Sequence, residues 1–155
     1  MSRGAARRLI PSTTGGVLLV GVLTLAGCAP PATTGDGEGF HGGGSKAERV
    51  VSGFVDGWGG PEPDPLDHQP VVGWLSDDDF GVITMGSSSC PSVAGDLQVL
   101  AADEVRIEFG QSPHDPCTAD MSPTTHVFQL PSSVDGRPLT VIVEEHDTEY
   151  VLELR

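Results

Sequence analysis

The chain has 155 residues, 37% of them apolar, and its 21 Gly and 13 Pro are more than an ordinary globular domain carries but fewer than outright disorder brings. One domain fits that length and two hardly do. Eight basic residues stand against 22 acidic ones, a formal charge of −14, and aromatics make up only 5%; such a surface repels phosphate backbones and offers few bases a stacking partner, so nucleic-acid binding is excluded as a working idea.

Arg3, Arg7 and Arg8 open the chain and an apolar run follows from Gly15 to Leu25. About 20 apolar residues are needed to cross a bilayer as a helix, so this run is too short to span and reads as an export signal over residues 1–27. Arg7-Arg8 are compatible with twin-arginine export and equally with the ordinary charge of a signal's start. The residues that close the signal, Leu25-Ala26-Gly27-Cys28, resemble the lipobox of bacterial lipoproteins. That resemblance implies cleavage before Cys28 and a diacylglyceryl group on its sulfur. Two acyl chains hold a protein stably at a membrane where one does not, because each buried methylene contributes about 0.8 kcal/mol.

The chain that begins at Cys28 keeps five basic and all 22 acidic residues, a net of −17. That charge keeps a tethered domain soluble and away from an anionic bilayer. From Ala29 to Gly44 the sequence APPATTGDGEGFHGGG has almost nothing to bury and reads as a flexible linker, with a root-mean-square reach of about 20–25 Å.

A single β-rich domain is expected over residues 45–155. Ser45 and Glu48 have the spacing of a capping box, and Ala47, Val50, Val51, Phe54 and Trp58 then share a helical face, so a short N-terminal helix is predicted. Gly53 weakens it, and the valines suit a strand equally well. Gly57 to Pro70, rich in Gly and Pro, ends any regular element. Beyond it, short apolar runs predict strands near residues 71–75, 80–86, 97–101, 105–109, 125–130, 139–144 and 150–154. Val105, Ile107 and Phe109 alternate with Arg106 and Glu108, and Tyr150, Leu152 and Leu154 with Val151 and Glu153, so these strands have one wet face. Asp77-Asp78-Asp79, Asp103-Glu104 and His146-Asp147-Thr148 are placed at hairpin turns. The fold class is mainly β, an antiparallel sandwich or small barrel of about seven strands.

Cys90 and Cys117 are the thiols left once Cys28 is lipidated, and in an exported protein such a pair oxidises, so they are expected to bond to each other. The alternative, a free pair serving a metal or redox site, lacks CxxC spacing.

Four constellations invite chemistry. Gly86-Ser87-Ser88-Ser89-Cys90 echoes a nucleophile elbow, but Cys90 replaces the second glycine and Pro91 stands where the helix should start. A serine there, with His126 and Asp120, could still form a triad, since triads are defined by geometry; the competing reading is turn material bonded to local backbone. Asp77-Asp78-Asp79 offers oxygen ligands to a cation without the spacing of a calcium loop. The histidines at 41, 68, 114, 126 and 146 contain no helical i, i+4 pair, and His114-Asp115-Pro116-Cys117 could approach a metal only with Cys117 reduced. Trp74, Met85 and Phe128 are read as core, with a ligand groove as the alternative.

The two motifs Gly86-Ser87-Ser88-Ser89-Cys90-Pro91 and Cys117-Thr118-Ala119-Asp120, the latter followed by Pro123-Thr124-Thr125 and a valine-containing strand, resemble those of small actinobacterial cell-envelope lipoproteins over about residues 71–145. The resemblance implies a disulfide-bridged β-domain and brings no catalytic residue, cofactor or metal with it. The expected function is a lipid-anchored, non-catalytic binding or accessory domain at the outer face of the cell membrane, with an envelope protein as partner. The alternatives are a serine hydrolase acting on envelope material and a cation-binding acidic domain.

Overall fold

The computed structural model describes residues 45–155; the signal, Cys28, the linker and His41 lie outside that range. Two sheets pack face to face. One contains β1 (Arg49–Ser52), β7 (Ser122–Gln129), β3 (Asp79–Gly86) and β2 (Val71–Trp74), in that order and all antiparallel. The other runs from β4 (Val93–Ala94) and β5 (Gln98–Ala101), both on one side of β6 (Glu104–Gly110), through β8 (Leu139–Glu145) to β9 (Thr148–Leu154). All seven predicted strands are present.

Two expectations are corrected. Among the described residues there is no helix, and the predicted one is replaced by β1. Val50 and Val51 lie opposite His126 and Thr125 of β7, where β-branched side chains lose less than in a helix. Gly53 and Gly57 have φ of +83°, which no right-handed helix accommodates. Ser45 Oγ accepts from the Ala47 N–H at 3.3 Å, a local turn in place of a cap. The sheets are also not purely antiparallel, because β6 and β8 pair parallel. Parallel neighbours need a long crossover, and the chain makes it by sending β7 through the facing sheet.

The core lies between the sheets. Phe80, Val82 and Phe128 face Val105, Ile107, Leu139, Val141 and Val143, and the cross-strand pair Phe80 and Phe128 stacks at 5.5 Å. The outer face of the four-stranded sheet is buried as well, including Ile83, Thr125 and Val127. Its cover is the segment after β1, where Val55 is buried and the Thr125 hydroxyl donates to the Gly53 carbonyl. Trp58 lies over Gly73 and Gly81, which are register partners: a Cβ on Gly81 would fall 2.9 Å from the indole, and one on Gly73 only 2.5 Å from Gly60. Two facing glycines therefore make the flat floor that the ring needs. The Trp58 Nε1–H donates to the Pro61 carbonyl at 3.0 Å.

The predicted turns are hairpins. His146 and Asp147 have φ of 50° and 62° between Glu145 and Thr148, the left-handed pair that a two-residue turn requires. The acidic tip after β2 is closed by Ser76, whose Oγ accepts from Asp79 N–H at 2.9 Å and donates to the Asp79 carboxylate at 3.0 Å.

Candidate functional site

The sandwich has a bridged end and an open end. At the bridged end β3 and β7 stop at the pair Gly86 and Ser122. Cys90, in the loop leaving β3, is bonded to Cys117, in the loop entering β7, with Cα atoms 5.4 Å apart. The bridge continues the β3–β7 pairing beyond its last register pair. Closing a loop of that length contributes about 3.5 kcal/mol by restricting the unfolded chain.

The serine run is tied to the same bridge. The hydroxyls of Ser87, Ser88 and Ser89 lie 2.9, 3.3 and 3.2 Å from Thr118 Oγ1, and Ser89 Oγ accepts from the Thr118 N–H at 2.9 Å. Asp120 accepts from the Thr118 hydroxyl and from the Ser88 N–H. Hydrogen bonds from Thr118 and then Ser88 hold its carboxyl down at about 2.

His126 is not part of this cluster. It points into the sandwich, fully buried, with Nε2 3.2 Å from Thr84 Oγ1 and its ring edge-on to Phe109 at 4.8 Å. Nδ1 has no hydrogen-bond partner. Burial pushes the imidazole down to about 4, so near neutral pH it is an uncharged core side chain. Ser87, Ser88, Ser89 and Asp120 come together as the sequence allowed, but His126 bonds to Thr84 and to none of them, so the triad of these residues with His126 is not assembled.

The metal readings fare similarly. Cys117 is oxidised, which removes the thiolate, and the described residues contain no group of three or more His, Cys, Asp or Glu that could hold an ion. A cavity of about 380 Å³ near the bridge is lined by Ser87, Ser92, Gln111, His114 and His146 among others.

At the open end the edges of the two sheets, β2 and β9, come side by side. Trp74 closes β2, its ring edge-on to Phe80 at 6.3 Å. The Arg137 guanidinium, from the loop between β7 and β8, lies over the indole 3.7 Å from the ring centroid and donates from Nη2 to the Asp77 carbonyl at 2.6 Å. Together with Leu75, Ser76 and Arg155 these residues line a groove of about 430 Å³. A second hollow of about 340 Å³ adjoins it and shares Trp74 and Arg155.

Of the three large side chains singled out from sequence, Phe128 is buried in the core, Met85 is buried but lines the cavity near the bridge, and Trp74 is partly exposed in the groove at the open end. Arg137 and Arg155 were missed. The available signal was their scarcity, as two of only five basic residues in the described range.

Comparison with protein-family models, curated proteins and solved structures finds no match.

Proposed function

We propose that this chain is a lipoprotein, cut before Cys28 and acylated there. Its domain is held by the Ala29–Gly44 linker at the outer face of the cell membrane, where it acts as a non-catalytic binding or accessory domain of the envelope. The observation that carries the reading is Leu25-Ala26-Gly27-Cys28 placed directly after the apolar run. The Cys90–Cys117 bridge supports it, since such a bond persists on the oxidising side of the membrane. A net charge of −17 keeps the domain off the anionic surface to which its acyl chains bind it.

The accessory role is supported by the use of the serine run. Its hydroxyls and Asp120 are spent on holding two loops together, so the residues that looked most like a nucleophile site serve the scaffold.

Acyl labelling tests the anchor: the natural chain takes up labelled fatty acid and a Cys28→Ala variant does not, remaining as the uncut precursor. Normal labelling of that variant defeats the anchor. Crosslinking in cells followed by recovery of the tethered domain tests the accessory role, which requires a reproducible envelope companion.

A further inference from the structure

The described residues carry 20 acidic and five basic side chains, so an anionic ligand approaches most of this surface against repulsion. Arg106 and Arg155 are ion-paired to glutamates, whereas Arg137 forms no ion pair among the described residues. Its guanidinium is nevertheless fixed, by stacking on Trp74 and by one Nη2–H bond to the Asp77 carbonyl. A guanidinium has five N–H donors in a rigid fork suited to a carboxylate or phosphate, and stacking leaves that edge unobstructed. Arg155, with its side chain 84% exposed, lines the same groove.

Asp77 also lines the groove. Its carboxylate accepts hydrogen bonds and disfavours a simple polyanion, which selects for a ligand bearing both an oxyanion and hydroxyl donors. One face of the partly exposed Trp74 indole is taken by Arg137, so the ring serves the groove by fixing that guanidinium, and about 430 Å³ matches a small polar molecule.

We infer that the groove between Trp74, Asp77, Arg137 and Arg155 binds an acidic sugar, a sugar carboxylate or sugar phosphate, with the oxyanion on Arg137, a hydroxyl on Asp77, and the Glu153-paired Arg155 adding its charge at the groove wall. This extends the binding half of the proposed function and is independent of the anchor, so the acyl-labelling result and this one succeed or fail separately.

The test is titration of the purified full chain in detergent, read by tryptophan emission at constant ionic strength, with glucuronate, glucose 6-phosphate and uncharged glucose. Saturable change is expected with at least one charged sugar and none with glucose; which one saturates separates carboxylate from phosphate. Arg137→Gln is expected to weaken binding about tenfold or more, the loss that follows removal of a charge-assisted bidentate contact, while Lys46→Gln leaves it unchanged. If Arg137→Gln does not fold, Arg155→Gln at an exposed side chain tests the same groove and is expected to weaken binding severalfold. Absence of saturation with both charged sugars, or undiminished binding in the foldable arginine variants, overturns the assignment.

Discussion

In the four-stranded sheet, β3 is buried at six consecutive residues, Phe80 to Met85, whereas β9 in the five-stranded sheet alternates from the exposed Val151 to the buried Leu154. The difference lies in what covers each outer face. The first sheet wears the segment from Gly53 to Pro61, with Trp58 flat on Gly73 and Gly81. The second meets water through Arg106, Glu144 and Glu149. Burial on both sides fixes β3 from two directions, whereas the second sheet contributes to the shared core chiefly through its inner face, and it is from the ends of the first sheet that the bridge and the Trp74 groove project.

The largest break in this asymmetry comes from uncovering the first sheet. Trp58→Ala is expected to cost about 3 kcal/mol, the low end for losing a large aromatic because Trp58 is only partly buried. Val151→Ala on the wet face of the second sheet is expected to stay within about 0.5 kcal/mol. Urea unfolding of the two variants measures the contrast, and equal losses remove it. Gly81→Ala approaches the same cover from below, with a Cβ 2.9 Å from the indole, and is expected to cost about 1–3 kcal/mol through overpacking.

The same asymmetry decided what could be read from sequence. Strands with one wet face announce themselves by period two, and β6 and β9 were legible for that reason. β3 showed as a continuous apolar run, enough to place it but silent about its second face. The cover itself was misread: Ala47, Val50, Val51, Phe54 and Trp58 have helical spacing, but Val50 and Val51 are used in a ladder with β7 and Trp58 is used on two glycines more than a dozen residues downstream. β4, at two residues, is too short to have a period. The disulfide was legible because assigning Cys28 to the lipobox leaves one pairing of the three cysteines. Arg137 was not, since its meaning depends on Trp74 and on an Asp77 carbonyl 60 residues away.

An effect of similar size, but spread over pH, probes the inner face of the first sheet. His126 falls from an ordinary 6.5 to about 4 because burial disfavours the imidazolium. The unfolded chain therefore binds a proton below about pH 6.5 that the folded chain refuses until about pH 4, and stability drops as pH falls through that window and gains no further loss from this group below it. The full difference amounts to about 3 kcal/mol. Unfolding free energies of the natural chain and of His126→Leu, compared between pH 7 and pH 4, isolate the contribution: the variant is expected to show a shallower decline. Parallel pH profiles would mean that His126 does not titrate differently in the folded state.

The smallest effect belongs to the wet face. Arg106, Ile142 and Val151 lie in one register row across β6, β8 and β9, and Ile142 is only 8% exposed although it points outward. Arg106 reaches Glu144 at 3.2 Å and Glu149 at 2.8 Å, but all three side chains are between 28% and 48% exposed, so each pair contributes no more than about 0.2–1 kcal/mol. The methylenes of Arg106 are next to Ile142 in the row and supply apolar cover whatever the salt concentration. Arg106→Met keeps a stem and removes the charge; it is expected to lose less than about 1 kcal/mol at low salt and almost nothing at 1 M salt, where the ion pairs are screened. Arg106→Ala removes both and is expected to retain a deficit at high salt. If the two variants converge there, the stem contributes nothing and the wet sheet is held by its ladder and inner face alone.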